Sequence, residues 1–363
     1  MSAELDEKTE RLCRVAAERN VAGILISAQP NFAWLSCGGS NGVDLSREDG
    51  VASLLVTNDG DRFILASRIE MSRMLSEQVA VGDFEPVEFA WQDAKAEADL
   101  NARLAAQIAG GSVVRDSEID AVIARCRYSL TPDERDRYRG LGQDASEALV
   151  RTAGSIAPGQ TETEIAESLR HELGNLGMTS VVALIAADER IANFRHPVPT
   201  CMQWERRLLL VTCARRGGLI VNLSRMIQVG KVDEDLDQKT EATAYVSASL
   251  MHETRKGKTG SQLYEVAASA YEERGFAGEI DLHHQGGATG YRTRDWVAHP
   301  ACSESVQPWQ AFAWNPSVTG TKVEDTIIVT DDRVEMITHT DGWPDIVTVI
   351  DGESYASAGI LTI

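Results

Sequence analysis

A proline-led helix start at Leu130-Thr-Pro-Asp-Glu134 divides the chain, and the pattern after it limits the possible folds more than any other feature. Thr131 supplies an N-cap oxygen, Pro132 occupies the first helical position, where no N–H is needed, and acids fill the first turn. The spacing predicts a long helix to about residue 153, the turn Ala157-Pro-Gly-Gln160, and a second helix over 161–176 opened by a Thr161/Glu164 capping box. Beyond Gly177 the pattern is β-rich, with strands expected at 181–186, 207–214, 219–229, 311–314, 326–330 and 334–338. Helices at 235–252 and 261–274 interrupt them. Two helices, strands, two helices, strands is a duplicated α+β plan, in which helices cover one face of a curved antiparallel sheet.

Upstream lies a smaller α/β unit. A helix over 4–20 feeds a strand over 21–26. Segments 51–56 and 62–66 flank the turn Asn58-Asp-Gly-Asp61 as a hairpin, and helical spacing returns at 68–78, 101–110 and 118–126. With 363 residues the chain can bury two cores, and we place the domain boundary between 129 and 130, giving domains 1–129 and 130–363.

Fifty-five acids against 35 basic residues give a net charge of -20, a field that repels nucleic-acid phosphates and anionic membranes. Neither partner is expected. The six cysteines are scattered, with no C-x-x-C pair, and read as reduced thiols. No apolar run reaches the length of a membrane span, and the charged opening 1–20 does not read as a signal peptide, so a cytoplasmic location is expected.

The stretches Gln29-Pro-Asn-Phe-Ala-Trp-Leu-Ser36 and Ile156-Ala-Pro-Gly-Gln-Thr-Glu162, taken with the order of the elements, resemble segments of the pita-bread family of methionine aminopeptidases, prolidases, aminopeptidase P and creatinase. "Gln29-Pro-Asn-Phe-Ala-Trp-Leu-Ser36" is similar to an x-x-N-x-x-Y-L-[ST] stretch of the creatinase and prolidase N-terminal domain. "Ile156-Ala-Pro-Gly-Gln-Thr-Glu162" is similar to the I-x-P-G-x-T-E turn of the catalytic domain. The resemblance implies a pita-bread catalytic domain preceded by a creatinase-like N-terminal domain, and a homodimer. The glycine-rich loop 37–42 is the candidate lid contact, against the plainer reading of a flexible loop.

The family's metalloenzymes hold two metal ions with two Asp, one His and two Glu, since hard divalent ions need several carboxylates. Aligned on Gly218 and Arg225, the two Asp positions, eleven apart, carry Val211 and Asn222. In "His283-His-Gln-Gly-Gly-Ala-Thr-Gly290" Gly287 stands where the ligand histidine belongs. Asn315 of "Phe312-Ala-Trp-Asn-Pro316" replaces one Glu, and only Glu324 keeps its carboxylate. Val and Gly offer no ligand atom, so we expect no metal and no cofactor. A repurposed single-metal site using His196, His283 or His284 with Glu324 is the alternative.

What remains points to a histidine. His196, in "Asn193-Phe-Arg-His-Pro-Val-Pro199", resembles the position of the catalytic histidine in creatinase, the family's precedent for hydrolysis without metal. Without a metal to acidify water, a neutral-pH attack needs a general base, and histidine titrates in that range. A strand-capping His-Pro is the competing reading. His283 matches a substrate-contacting histidine of the prolidases; alternation along a β-like segment would let only one of His283 and His284 reach the cavity. With His196, His283 and Glu324 as the catalytic set, Asn222, His284, Arg292, Arg294, Asn315 and Lys322 are the substrate-binding candidates. A guanidinium there suits a carboxylate, and Lys322 replaces part of the missing cationic charge. Asn315 in place of an acid argues against a cationic guanidinium and so against creatine itself.

The expected activity is therefore metal-independent hydrolysis of an amide or amidine-type C–N bond in a small amino-acid-like substrate. A silent module binding peptide or protein, and a metal-free lyase or isomerase using the same histidine, are the alternatives.

Overall fold

The computed structural model describes residues 2–363. Its chain forms two compact units, 1–134 and 135–363, with the division inside the first turn of the helix Pro132–Ser155.

In the first unit, strands β1 (Gly23–Ala28), β2 (Asp49–Thr57), β3 (Arg62–Ser67), β4 (Glu85–Phe89) and β5 (Val113–Arg115) form one sheet of order β4-β3-β2-β1-β5. The β2–β3 hairpin closes at the expected turn, where Gly60 takes φ +91°, a conformation open to a residue without Cβ. Leu25, Leu55, Leu65 and Ala105 pack on one another in the core. The helix Ala3–Arg19 buries Leu5, Leu12, Val15 and Ala16, the positions its periodicity marks. It also buries Lys8, which pairs with Glu4 at 2.6 Å and Glu134 at 2.8 Å. The 37–42 loop is anchored, not loose: buried Asn41 donates to the carbonyls of Ser27 (2.9 Å) and Ala52 (2.7 Å).

The second unit contains β6 (Thr179–Ala187), β7 (Arg207–Arg216), β8 (Leu219–Gln228), β9 (Gly286–Thr289), β10 (Trp296–Val297), β11 (Ala311–Trp314), β12 (Ser317–Val318), β13 (Thr321–Lys322), β14 (Asp325–Val329), β15 (Val334–Met336), β16 (Asp345–Ile350), β17 (Glu353–Ala358) and β18 (Ile360–Thr362). One curved sheet was expected, whereas the strands form two larger sheets, ordered β18-β8-β7-β6 and β10-β9-β11-β14-β15, and two two-stranded ones, β12-β13 and β16-β17. An antiparallel bridge between Ser224 and Glu324 stitches the two larger sheets together, with Ser224 N donating to the Glu324 carbonyl at 3.0 Å. Pro316, with no N–H for a ladder, follows the end of β11 and turns the chain toward β12.

Helix starts follow their side chains. Thr161 Oγ1 accepts from Glu164 N while the Glu164 carboxylate accepts from Thr161 N; Thr259 and Gln262 form a second such box, and Asp233 caps Glu234–Glu253. Trp296, Phe312 and Trp314 pack with ring centroids 5.2 and 5.6 Å apart, and Trp314 Nε1 donates to Thr254 Oγ1, so these tryptophans fill the core. Among the described residues, every cysteine is a free thiol and no helix is long and apolar enough to cross a membrane.

Candidate active site

Strand alternation creates one half of the site. Cys213 lies opposite Asn222 and Val211 opposite Ser224 in the β7–β8 register, so these four side chains share a face. The bridge then brings in Glu324, whose Oε2 accepts from Ser224 Oγ at 2.6 Å. Lys322 Nζ stands 3.2 Å from Oε2 and Arg294 Nη2 3.2 Å from Oε1, with side chains 7 %, 14 % and 3 % exposed for Lys322, Arg294 and Glu324. Burial alone would raise this carboxyl, but the two cations and the serine hydroxyl override it and hold Glu324 at about 2. Two buried positive charges thus surround one negative charge.

The other half is histidine. His196 follows the short helix Arg190–Asn193 on a segment pinned by Arg195, which donates to Ser317 Oγ (3.0 Å) and Thr319 Oγ1 (2.7 Å) and pairs with Glu279. His283 and His284 precede β9 in irregular backbone. Because that stretch is not a strand, alternation does not apply, and both rings reach His196, against the expectation that only one would. The His283 and His284 rings stack with centroids 4.5 Å apart, and His196 meets His283 edge-on at 5.0 Å. The Nε2 atoms of His196 and His283 are 3.2 Å apart.

This contact fixes the tautomers. His283 Nδ1 bonds the carbonyl of His284, and a carbonyl only accepts, so Nδ1 carries the proton and the neutral ring leaves Nε2 bare. His196 must then donate from its Nε2, which leaves Nδ1 as its basic lone pair. Burial and the Lys322 charge push His283 down to about 3; His284 and His196 keep solvent access, but protein packed against one side of each ring desolvates it, and with Arg294 and Lys322 this pushes His284 down to about 4, and with Lys322 it lowers His196. These shifts favour the neutral ring in each case.

A sequence profile for metallopeptidase family M24 matches residues 136–331. The chain belongs to family M24. The Xaa-Pro dipeptidase of Lactobacillus helveticus is 23% identical to this M24 chain over 235 residues, 62% of this chain and 64% of the relative, so less than two thirds of that relative is spanned. The Xaa-Pro dipeptidase of Pyrococcus furiosus is 22% identical over 237 residues, covering 62% and 67%. The prolidase from Pyrococcus horikoshii OT3 superposes with a TM-score of 0.75 at 18% identity, covering 92% of this chain and 99% of that one. The N-terminal domain of FACT complex subunit SPT16 from Cicer arietinum gives 0.67 at 13% identity, covering 94% and 98%. The fold is the two-domain pita-bread α+β architecture.

The M24 family implies a dinuclear metal centre, and the donor set of this member does not fit one. Val211 packs with Leu209 and Met226 in an apolar cluster. Asn222 Nδ2 donates to Thr289 Oγ1 at 3.1 Å. The buried Oδ1 atoms of Asn222 and Asn315 have no protein partner, but each is a neutral acceptor, not a carboxylate. At Gly287 a Cβ would meet the Trp296 carbonyl oxygen at 2.1 Å and Val297 Cα at 2.8 Å, so β10 lies where the matching histidine would need to start. Glu324 is already neutralised by Lys322 and Arg294.

Of the residues singled out from the sequence, His196, His283 and His284 meet in one cluster, and Glu324, Lys322 and Arg294 in another. Arg292 enters through its main chain, its carbonyl accepting from Thr289 Oγ1 at 3.0 Å. Ser224, Thr289 and Cys213 were missed; a serine two residues after Asn222 on a strand was the one usable signal. Burial and the nearby Glu324 charge push the Cys213 thiol up to about 12, which removes it as a nucleophile. A cavity of about 600 Å³ lined by Met251, Val334 and Tyr355 among others lies elsewhere and holds none of these groups.

Proposed function

We propose that this M24 member hydrolyses a C–N bond of a small, carboxylate-bearing, amino-acid-like substrate without a dinuclear metal centre. The observation that carries the reading is the Gly287 strand contact together with the self-neutralised Glu324. The site has been rebuilt around charge-paired and neutral groups, and has not merely lost ligands. Relatives described as Xaa-Pro dipeptidases support the bond type.

His196 Nδ1 takes a proton from the attacking water, and the same proton passes to the leaving nitrogen, so the ring returns to its starting tautomer. His283 holds that tautomer by accepting from His196 Nε2. The surplus positive charge of Lys322 and Arg294 receives the substrate carboxylate, and the free Oδ1 acceptors of Asn222 and Asn315 suit its N–H groups. Homodimerisation with loop 37–42 at the contact belongs to the same proposal.

The test is chelator-treated full-length chain against Xaa-Pro dipeptides, N-acyl amino acids and guanidino acids, with His196→Ala alongside. Turnover should persist in chelator and fall about 10²–10⁴-fold in His196→Ala. Activity that appears only on adding two equivalents of metal would overturn the proposal. The second reading is a silent binding module, which predicts no turnover and ligand binding that survives His196→Ala.

A further inference from the structure

The Nε2 atoms of His196 and His283 share one proton in their hydrogen bond, and an ion that displaced it would meet two converging lone pairs. The ligand atoms of His196, His283 and His284 all fall within 4.8 Å of one another. The 3.2 Å separation of the His196 and His283 Nε2 atoms is close to the edge of a tetrahedron around an ion with metal–nitrogen bonds of about 2.0–2.1 Å, roughly 3.3 Å. His283 donates Nδ1–H to a backbone carbonyl, the outer contact that orients a ligating histidine and frees its Nε2. His196 and His284 are exposed, which leaves a fourth position open to solvent. Glu324 offsets only one of the two neighbouring cations, so an ion here would take an anionic fourth ligand such as hydroxide or a carboxylate.

We propose that His196, His283 and His284 form a mononuclear site for a zinc-class divalent ion, distinct in ligands from the dinuclear centre of the family. Imidazole ligands suit Zn, Co, Ni and Cu over Mg or Ca. Binding through His196 Nε2 requires the remaining proton of that ring to sit on Nδ1, the atom that otherwise serves as base. Metal and general base are therefore alternative states of one imidazole, and loading the site silences chelator-resistant turnover. The binding claim stands independently of the hydrolase reading.

The experiment titrates chelator-stripped full-length chain with Zn²⁺ by calorimetry and with Co²⁺ by visible absorption, and counts imidazole ligands by X-ray absorption. One equivalent per chain with three imidazoles is expected. Affinity should drop at least about tenfold in His284→Gln and in His196→Gln, both at exposed positions where folding is not at stake, and be unchanged in Cys201→Ser. No binding, two equivalents, or binding indifferent to both histidine variants would overturn the inference. Chelator-resistant turnover with no Zn²⁺ binding would defeat the metal site alone and leave the hydrolase standing.

Discussion

Glu324 and Asp325 are neighbours in the chain, both buried, and they have opposite fates. Asp325 Oδ1 accepts from Arg225 Nη2 at 2.9 Å and from Thr338 Oγ1 at 2.8 Å, while the same guanidinium also reaches Thr340 Oγ1 and the Thr338 carbonyl. One anion meets one cation, and the Asp325 Oδ2 atom is the single acceptor of that carboxylate left without a partner. Glu324 meets two cations, and around it Asn222 Oδ1, Asn315 Oδ1 and Arg294 Nε have no partner. The first arrangement is a strut. The second has charge and hydrogen-bonding capacity left over, which is what a binding site requires and a strut does not.

The sharpest way to break this comparison is to remove one cation from each. Arg225→Met should destabilise the fold by about 3–5 kcal/mol, because it leaves Asp325 buried and alone. Arg294→Met should cost under about 1 kcal/mol, because Lys322 still compensates Glu324, and should instead raise KM for carboxylate substrates about tenfold or more. Urea denaturation and steady-state kinetics read the two effects, and equal stability losses would erase the distinction. Acid should separate the neighbours next. A carboxyl held at about 2 against an ordinary 4.5 stabilises the folded state above the unfolded value and loses that contribution as pH falls toward 2, about 3 kcal/mol for Glu324. Burial raises Asp325, so protonation there has the opposite sign. The acid limb of the stability curve should therefore be shallower in Glu324→Gln than in the parent. Gly287→Ala comes third, at about 1–3 kcal/mol, since backbone of β10 must yield to a methyl group. The smallest effect is chemical: at pH 8 a thiol reagent should modify exposed Cys201 quickly and leave Cys213 unreacted in the folded chain.

Much of the frame was legible from local signals. The Thr161/Glu164 box, the β2–β3 turn and the runs that became β7, β8 and β11 carry their own chemistry in a few consecutive residues. The hairpin β16–β17 was not predicted: Val347 and Val349 are exposed, so no buried stripe marks the strand. The helix Gln29–Leu35 was read only as a motif, because its proline sits at the helix start where it marks a turn equally well. Within the site, His196, His283 and Glu324 were legible by resemblance. That His284 joins them was not, because β alternation was assumed for a stretch whose backbone is irregular. The Ser224 contact to Glu324 was also hidden, since it depends on two sheets meeting 100 residues apart in sequence.

The close seating of β10 against Gly287 also bears on how such a chain can change. At Asn222 and Asn315 a single substitution could supply a carboxylate. At Gly287 no side chain fits until the strand at Trp296–Val297 has moved, and moving that strand gains nothing until a side chain is there to use the space. Each change is unfavourable without the other. The contact therefore works as a lock: with that strand in place, no single substitution can put a side chain at this position without strain.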